Sequence, residues 1–175
     1  MKNSLYLVLH GRFPSGKAIG LWIAKGAEAF SDNGINTTVI AADSGVDMGD
    51  PFNYYGVKNN FHVRYIHRPD LFSVPILKDV AFIVSNIAFA LSSLFYLLRY
   101  AKRDDIILSN EALPMFLYSL FFKNVFYEMH VFPERKLFFF RLLFSRMRGF
   151  VSVTRWMADE ASKVFSIPRE RILCS

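Results

Sequence analysis

The chain is nearly free of cysteine, and several catalytic and metal-binding patterns are also missing. Its single cysteine, Cys174, excludes an internal disulfide, so a reducing cytosol is the expected compartment. The sequence has no G-x-S-x-G elbow, which leaves hydrolase chemistry of that kind without support. No set of His, Cys, Asp and Glu has metal-ligand spacing. The sequence therefore predicts neither a metal nor a cofactor.

Acidic residues are outnumbered in the 175-residue chain. Lys and Arg total 21 against 15 Asp and Glu, which gives a formal net charge of +6. This balance favours anionic partners such as phosphates or a membrane surface. Nucleic acid is not expected, because the basic residues are dispersed and no nucleic-acid module is visible. The 19 phenylalanines either fill a core or form an apolar face for lipid or a partner domain.

Strand and helix patterns alternate along the chain, without internal repeats. Residues 5–9 form an unbroken apolar run, which is typical of a strand buried on both faces of a parallel sheet. A glycine-containing turn follows at 10–17, and from Ala18 apolar residues recur at helical spacing until Gly34 ends the helix. The alternation predicts an α/β fold with a doubly wound, mostly parallel sheet built from Rossmann-like βαβ units.

The rest of the chain continues this pattern. Residues 43–60 are rich in Gly, Asp and Asn and predict a long loop at the carboxyl edge of the sheet, where ligands bind in such folds. Further strands are predicted at 35–42, 61–66, 106–109, 124–130, 150–153 and 172–174, and further helices at 77–102, 114–122, 135–148 and 155–165. The 135–148 helix mixes cations with Phe and Leu, as in a packed surface helix or one that docks on anionic lipid.

Helix 77–102 permits two interpretations. The stretch from 81 to 98 contains no charged residue and is long enough for a membrane span. Its polar residues, Ser85 and Ser93 among them, fall on one side of a helical wheel, which favours a helix that covers a sheet and shows its polar side to solvent. Phe89 shares that polar side, so contact with a membrane surface stays open.

The glycine loop, residues 10–17, only partly matches phosphate-binding motifs. Gly11 to Ala18 fits G-x-x-x-x-G-K, but Ala18 stands where a magnesium-binding hydroxyl is needed, and Pro14 removes an N–H from the loop. What remains is a helix N-terminus with N–H groups at Ser15 and Gly16 and a cation at Lys17. Lys17 is then either a solvated lysine or a cation placed for a phosphate or a sugar hydroxyl.

His130 ends an apolar strand at the same predicted edge of the sheet as the glycine loop. A histidine there can donate or accept a hydrogen bond near neutral pH. Glu128, two residues earlier, points to the same face of a regular strand and either orients the imidazole or fills a buried polar contact. His130 alternatively fixes the turn before Pro133. We expect the imidazole and the glycine loop to line one wall of a cleft.

These motifs, in this order, resemble the N-terminal half of the family 4 glycosyltransferases, which are retaining enzymes of the GT-B type. The similarity covers segments 10–20, 127–134, 149–154 and 167–172. It implies that Ser15, Gly16 and Lys17 lie against the donor phosphates and the acceptor. It also implies that His130 contacts the donor sugar near the reaction centre. Because Glu128 shares its face of the strand, we expect it to lie beside His130 in the donor and acceptor site.

The resemblance further implies a division of labour. Residues 1–175 would be one acceptor-side domain, while a C-terminal domain absent from this sequence would bind most of a nucleotide-sugar donor, leaving this chain alone inactive. The acceptor would be a glycan or a lipid-linked molecule of bacterial surface polysaccharide or glycolipid assembly. The protein would be cytoplasmic and peripheral at the inner face of the plasma membrane. The alternative is a stand-alone nucleotide-binding or regulatory Rossmann-like module.

Overall fold

The computed structural model describes residues 3–43, 45, 49–67, 78–134 and 137–174, with the side chains of all of these except 78–82 and 137. Strands and helices alternate along this part of the chain. They are β1 (Leu5–Leu9), α1 (Ala18–Asp32), β2 (Thr37–Asp43), α2 (Pro51–Tyr55), β3 (His62–His67), α3 (Lys78–Tyr100), β4 (Ile106–Ser109), α4 (Ala112–Tyr118), β5 (Asn124–Met129), α5 (Leu137–Arg146), β6 (Gly149–Ser152), α6 (Arg155–Phe165) and β7 (Ile172–Cys174).

The seven strands form one parallel sheet in the order β3-β2-β1-β4-β5-β6-β7. The predicted α/β fold with Rossmann-like units is therefore confirmed. Because all strands are parallel, their carboxyl ends lie along one edge, which we call the carboxyl edge. The strand order reverses between β1 and β4, and a crevice at such a reversal is where ligands bind in open α/β sheets.

The two faces of the sheet are covered differently. Right-handed crossovers place helices on opposite faces on the two sides of the reversal. On the four-helix face, α3 to α6 pack on the sheet and bury an aromatic-rich core around Phe89, Tyr118, Phe144 and Phe150. On the two-helix face, α1 and α2 cover β1 to β3, with side chains of β4 at the margin and with Ile23 and Phe61 in the smaller core. None of the described helices packs on β5 to β7 on that face.

Local signals located most elements. The bounds of β1, β4, β7 and α6 are those predicted. Thr154 caps α6 by accepting a hydrogen bond from the Met157 N–H (3.1 Å), and Gly34 after α1 has a φ of 75°. Residues 135 and 136, at the start of the predicted basic helix, lie outside the described residues.

The prediction of a loop through 43–60 was wrong, because this stretch contains α2. Asp50 caps the helix by accepting hydrogen bonds from the N–H groups of Phe52 and Asn53. Pro51 occupies the first turn, and Gly56 ends the helix in the left-handed conformation.

Part of the polar side predicted for α3 faces the core rather than solvent. Ser85 and Ser93 are fully buried against the sheet. The Ser93 hydroxyl donates to the Phe89 carbonyl oxygen (2.5 Å) and accepts from the Tyr118 hydroxyl (2.5 Å), so its burial leaves no unpaired polar group. The exposed side instead carries an apolar set, which we call the outer stripe: Ile83, Val84, Ile87, Leu91, Phe95 and Leu98. Residues Ile83–Tyr100 satisfy the length and composition of a membrane span, with 33% of them buried.

Candidate functional site

Polar side chains gather at the carboxyl edge around the reversal of strand order. His10 follows β1, Asn110 and Glu111 follow β4, and Glu128 and His130 lie at the end of β5. The strand order places β4 between β1 and β5. These groups therefore occupy three adjacent strand ends.

Glu128 and His130 form the contact that their spacing predicts. The imidazole Nε2 lies 3.4 Å from a carboxylate oxygen of Glu128, whose residue is only 5% exposed. Nε2 itself is buried and makes no hydrogen bond of normal geometry within the described part of the chain. The two side chains thus lie at ion-pair distance, and they attract each other when the imidazole is protonated. Among the described residues no third His, Cys, Asp or Glu completes a metal site with them.

A cavity of about 300 Å³ opens beside Glu128 on the two-helix face. Its walls are mainly apolar and come from α1 and the sheet, including Trp22, Phe30, Leu108 and Val151. The Oδ1 atom of Asn110, which also lines it, is buried without a hydrogen-bond partner among the described residues. Both polar groups present acceptor oxygens, so the cavity suits a ligand that donates hydrogen bonds.

The glycine loop is held by α2. The Tyr55 hydroxyl accepts a hydrogen bond from the Ser15 N–H (2.7 Å) and donates one to the Ser15 carbonyl oxygen (3.0 Å). A Cβ at Gly20 would collide with this hydroxyl, so a larger residue there requires Tyr55 to shift. The Ser15 N–H, predicted to face a phosphate, is therefore already engaged. Gly16 and Lys17 remain exposed at the start of α1.

The two predicted parts of the site lie at the same edge of the sheet without touching. The glycine loop follows β1 and His130 follows β5, two strand spacings or roughly 10 Å away. No hydrogen bond or ion pair joins Ser15, Gly16 or Lys17 to Glu128 or His130 in the described residues. The arrangement leaves space between them at the reversal of strand order.

A second polar group lies at this reversal, and its Glu111 was not identified from sequence. The buried His10 imidazole lies 3.4 Å from the Ser85 hydroxyl and packs against the Phe89 ring. Burial raises the pKa of the Glu111 carboxyl, and a hydrogen bond from the His10 backbone N–H opposes the rise. The signal was available, since Glu111 directly follows a strand next to β1.

Glu111 also lines an open groove on the four-helix face, which we call the α3–α5 groove. It has a volume of about 610 Å³ and lies between the amino-terminal parts of α3, α4 and α5. Ile83, Ile87, Phe139 and Phe140 form its apolar sides. Because helices after parallel strands begin at the carboxyl edge, the groove opens at the same edge as His130.

No protein-family model and no curated protein matches the chain, but solved structures do. Arabidopsis thaliana UGT89C1 complexed with UDP-L-rhamnose aligns with a TM-score of 0.64 and 15% identity, over 99% of this chain and 52% of that one. The same protein complexed with quercetin gives 0.63 and 14%, over 99% and 50%. The chain has the fold of a GT-B half-domain.

The likeness to a GT-B half-domain extends to a second kind of protein. The N-terminal domain of Candida albicans trehalose-6-phosphate phosphatase aligns with a TM-score of 0.60 and 14% identity, over 97% of this chain and 45% of that one. The chain thus spans about half the length of the solved structures it matches. At the level of fold, the expectation drawn from the family resemblance is confirmed.

Proposed function

We propose that this GT-B half-domain is the N-terminal, acceptor-side part of a glycosyltransferase of the family 4, retaining kind. It would move a sugar from a nucleotide-sugar donor to a glycan or lipid-linked acceptor. One observation carries the proposal: the glycine loop and the Glu128–His130 pair share the carboxyl edge of a sheet that aligns along nearly its whole length with half of a UDP-sugar-bound structure.

Each side chain at the carboxyl edge has its own role in binding the substrates. His130 hydrogen-bonds the donor sugar near the reaction centre, and Glu128 holds the imidazole from below through the 3.4 Å contact. Gly16 and Lys17 offer an N–H and a cation to a phosphate or sugar hydroxyl at the start of α1. The Tyr55 hydroxyl already hydrogen-bonds the backbone of Ser15. The main role of Ser15 is therefore to hold the loop in place rather than to bind ligand.

Sugar transfer needs a second domain that forms the opposite wall of the cleft. Two substrates react fastest when held in a near-attack geometry, and a cleft closed by a second domain also keeps water from the donor. A C-terminal domain would bind most of the nucleotide, so residues 1–175 alone would lack much of the donor's binding energy and would not transfer sugar efficiently.

A membrane surface is part of the proposal. The outer stripe of α3 exposes six large apolar side chains on a chain of net charge +6. This combination suits a cytoplasmic protein that docks on the inner face of the plasma membrane during bacterial surface polysaccharide or glycolipid assembly. Liposomes containing anionic lipid should bind the chain less as salt rises, and Phe95→Glu should weaken binding more than Leu120→Glu; binding that ignores both salt and the stripe contradicts this part.

The test of the enzymatic proposal uses residues 1–175 expressed together with any coding sequence that follows them in the same reading frame. It is supplied with radiolabelled UDP-sugars and membrane extract. His130→Ala should lower transfer by about 100-fold or more, as expected when a group acting in the transition state is removed. His67→Ala is the matched control, because His67 also ends a parallel strand but is 84% exposed.

Two outcomes would overturn the proposal. Equal turnover in the His130 and His67 variants would remove the imidazole from the site. Submillimolar binding of ATP or NAD to residues 1–175, with no second Rossmann-like half in the reading frame, would instead support the stand-alone nucleotide-binding module.

A further inference from the structure

The α3–α5 groove has the size and lining of a ligand site. A volume of about 610 Å³ lies within the range of small-molecule pockets. Its apolar sides are rigid at the α5 end, where Phe139 packs against the rings of Phe116 and Phe140. The groove therefore offers a preformed apolar channel that ends at polar groups.

One wall of the groove continues onto the protein surface. Ile83 and Ile87 line the groove and are also the first members of the outer stripe of α3. The stripe then runs along the helix through Leu91 to Phe95, which is 72% exposed. An unbroken apolar track thus leads from solvent into the groove, and its length suits a hydrocarbon chain better than a compact aglycone.

The charge of the groove selects among amphiphiles. Glu111 is the only ionisable side chain among the described residues that line the groove. An ionised carboxylate accepts a hydrogen bond from a hydroxyl, whereas an anionic phosphate beside it meets like charge. The lining is therefore complementary to an uncharged head group that carries a hydroxyl.

We propose that the α3–α5 groove binds a neutral, hydroxyl-bearing long-chain amphiphile, with its hydroxyl at Glu111 and its chain along Ile83, Ile87 and the outer stripe. The inference rests on the proposed function and deepens it, since such a molecule would be the sugar acceptor. It commits the acceptor class to uncharged lipid alcohols or glycolipids, in which the reacting hydroxyl is not flanked by phosphate.

Direct binding to residues 1–175 tests the groove without any donor. Dodecyl maltoside, kept below its critical micelle concentration, is titrated while the isoleucine methyl signals are followed by NMR. Saturable one-to-one binding should shift the signals of Ile83 and Ile87 but not that of Ile23, which lies in the core of the two-helix face. Maltose should cause no shift, and dodecyl phosphate should bind the groove about 10-fold more weakly because of Glu111.

Two pairs of variants locate the site. Ile87→Lys places a charge inside the groove and should weaken dodecyl maltoside binding about 10-fold, whereas Leu120→Lys places the same charge on an exposed leucine outside both the groove and the outer stripe and should change it less than about 2-fold. Glu111→Gln keeps an acceptor for the His10 N–H but removes the ionisable carboxyl. It should narrow the preference for the maltoside over dodecyl phosphate.

The outcomes separate this inference from the proposed function. Equal weakening by Ile87→Lys and Leu120→Lys, or an unchanged preference in Glu111→Gln, overturns the groove assignment even if the longer protein transfers sugar to a water-soluble glycan. Groove binding as predicted, with no transfer by the longer protein, leaves the site standing and overturns the proposed function.

Discussion

The two faces of the sheet differ in how completely helices cover them. On the four-helix face, the buried ring of Phe144 contacts the rings of Tyr127, Phe150 and Phe165, and apolar side chains fill the space above most strands. On the two-helix face, β5 to β7 have no described helix above them, and Leu173 is 65% exposed. The Glu128–His130 contact and the 300 Å³ cavity both lie on this open face. The Glu128–His130 contact thus lies on the face that helices cover less completely.

The largest expected effect comes from removing the ring at the centre of the four-helix face. Phe144→Ala should lower the free energy of unfolding by about 3–5 kcal/mol, because a fully buried aromatic leaves a cavity. Leu173→Ala on the open face should cost less than about 0.5 kcal/mol. Urea denaturation of both variants measures the difference, and equal losses would show that the open face is covered in solution.

The second-largest loss of stability is expected in the packed part of the two-helix face. Gly20→Ala should destabilise the chain by about 1–3 kcal/mol, because the new methyl group collides with the Tyr55 hydroxyl that is held by Ser15. Tyr55→Phe removes the colliding oxygen, so the double variant should be more stable than the sum of the single effects indicates. A strictly additive cycle in urea denaturation contradicts this contact.

The open face allows a substitution that separates stability from function. Glu128→Gln keeps the size of this buried side chain and an acceptor oxygen, so it should change the free energy of unfolding by less than about 1 kcal/mol. The same change should lower sugar transfer by the longer protein, since the imidazole loses its carboxylate partner. A loss of stability larger than about 1 kcal/mol would mean that the Glu128–His130 contact is structural.

The smallest effect is the pH dependence at Glu111. Burial raises the pKa of this carboxyl, so the folded state binds the proton more tightly than the unfolded state. The stabilisation that this bound proton gives the folded state is complete below the pKa that Glu111 has in the unfolded state. It is lost as the pH rises through the pKa that Glu111 has in the folded state. Glu111→Gln should therefore match the unsubstituted chain near about pH 4 and exceed it near about pH 8 in urea denaturation. A difference that is constant with pH contradicts the shift.

The order of elements was predictable because its signals are local. Residues 106–109 and 155–165 were located by apolar runs and by a capping threonine, which act over a few residues. Helix α2 was missed although Asp50, Pro51 and Gly56 are its start and stop signals, because a stretch rich in Gly and Asn was interpreted as a loop.

The orientation of α3 and the lining of the site depend on tertiary packing. A helical wheel separates Ser85 and Ser93 from the apolar side, but it does not show that Ser93 meets the Phe89 carbonyl oxygen and Tyr118 inside the core. The Glu128–His130 contact was predictable because strand residues two apart share a face. The α3–α5 groove was not, because its walls come from three helices separated in sequence.

The Tyr55 hydroxyl ties the glycine loop to α2. It spans 40 residues of sequence to hold both backbone groups of Ser15. An anion that takes the Ser15 N–H must first displace the phenol, so its arrival is thermodynamically linked to the freeing of α2. Occupancy at the start of α1 would then be visible in the ultraviolet absorption of a tyrosine that never touches the ligand.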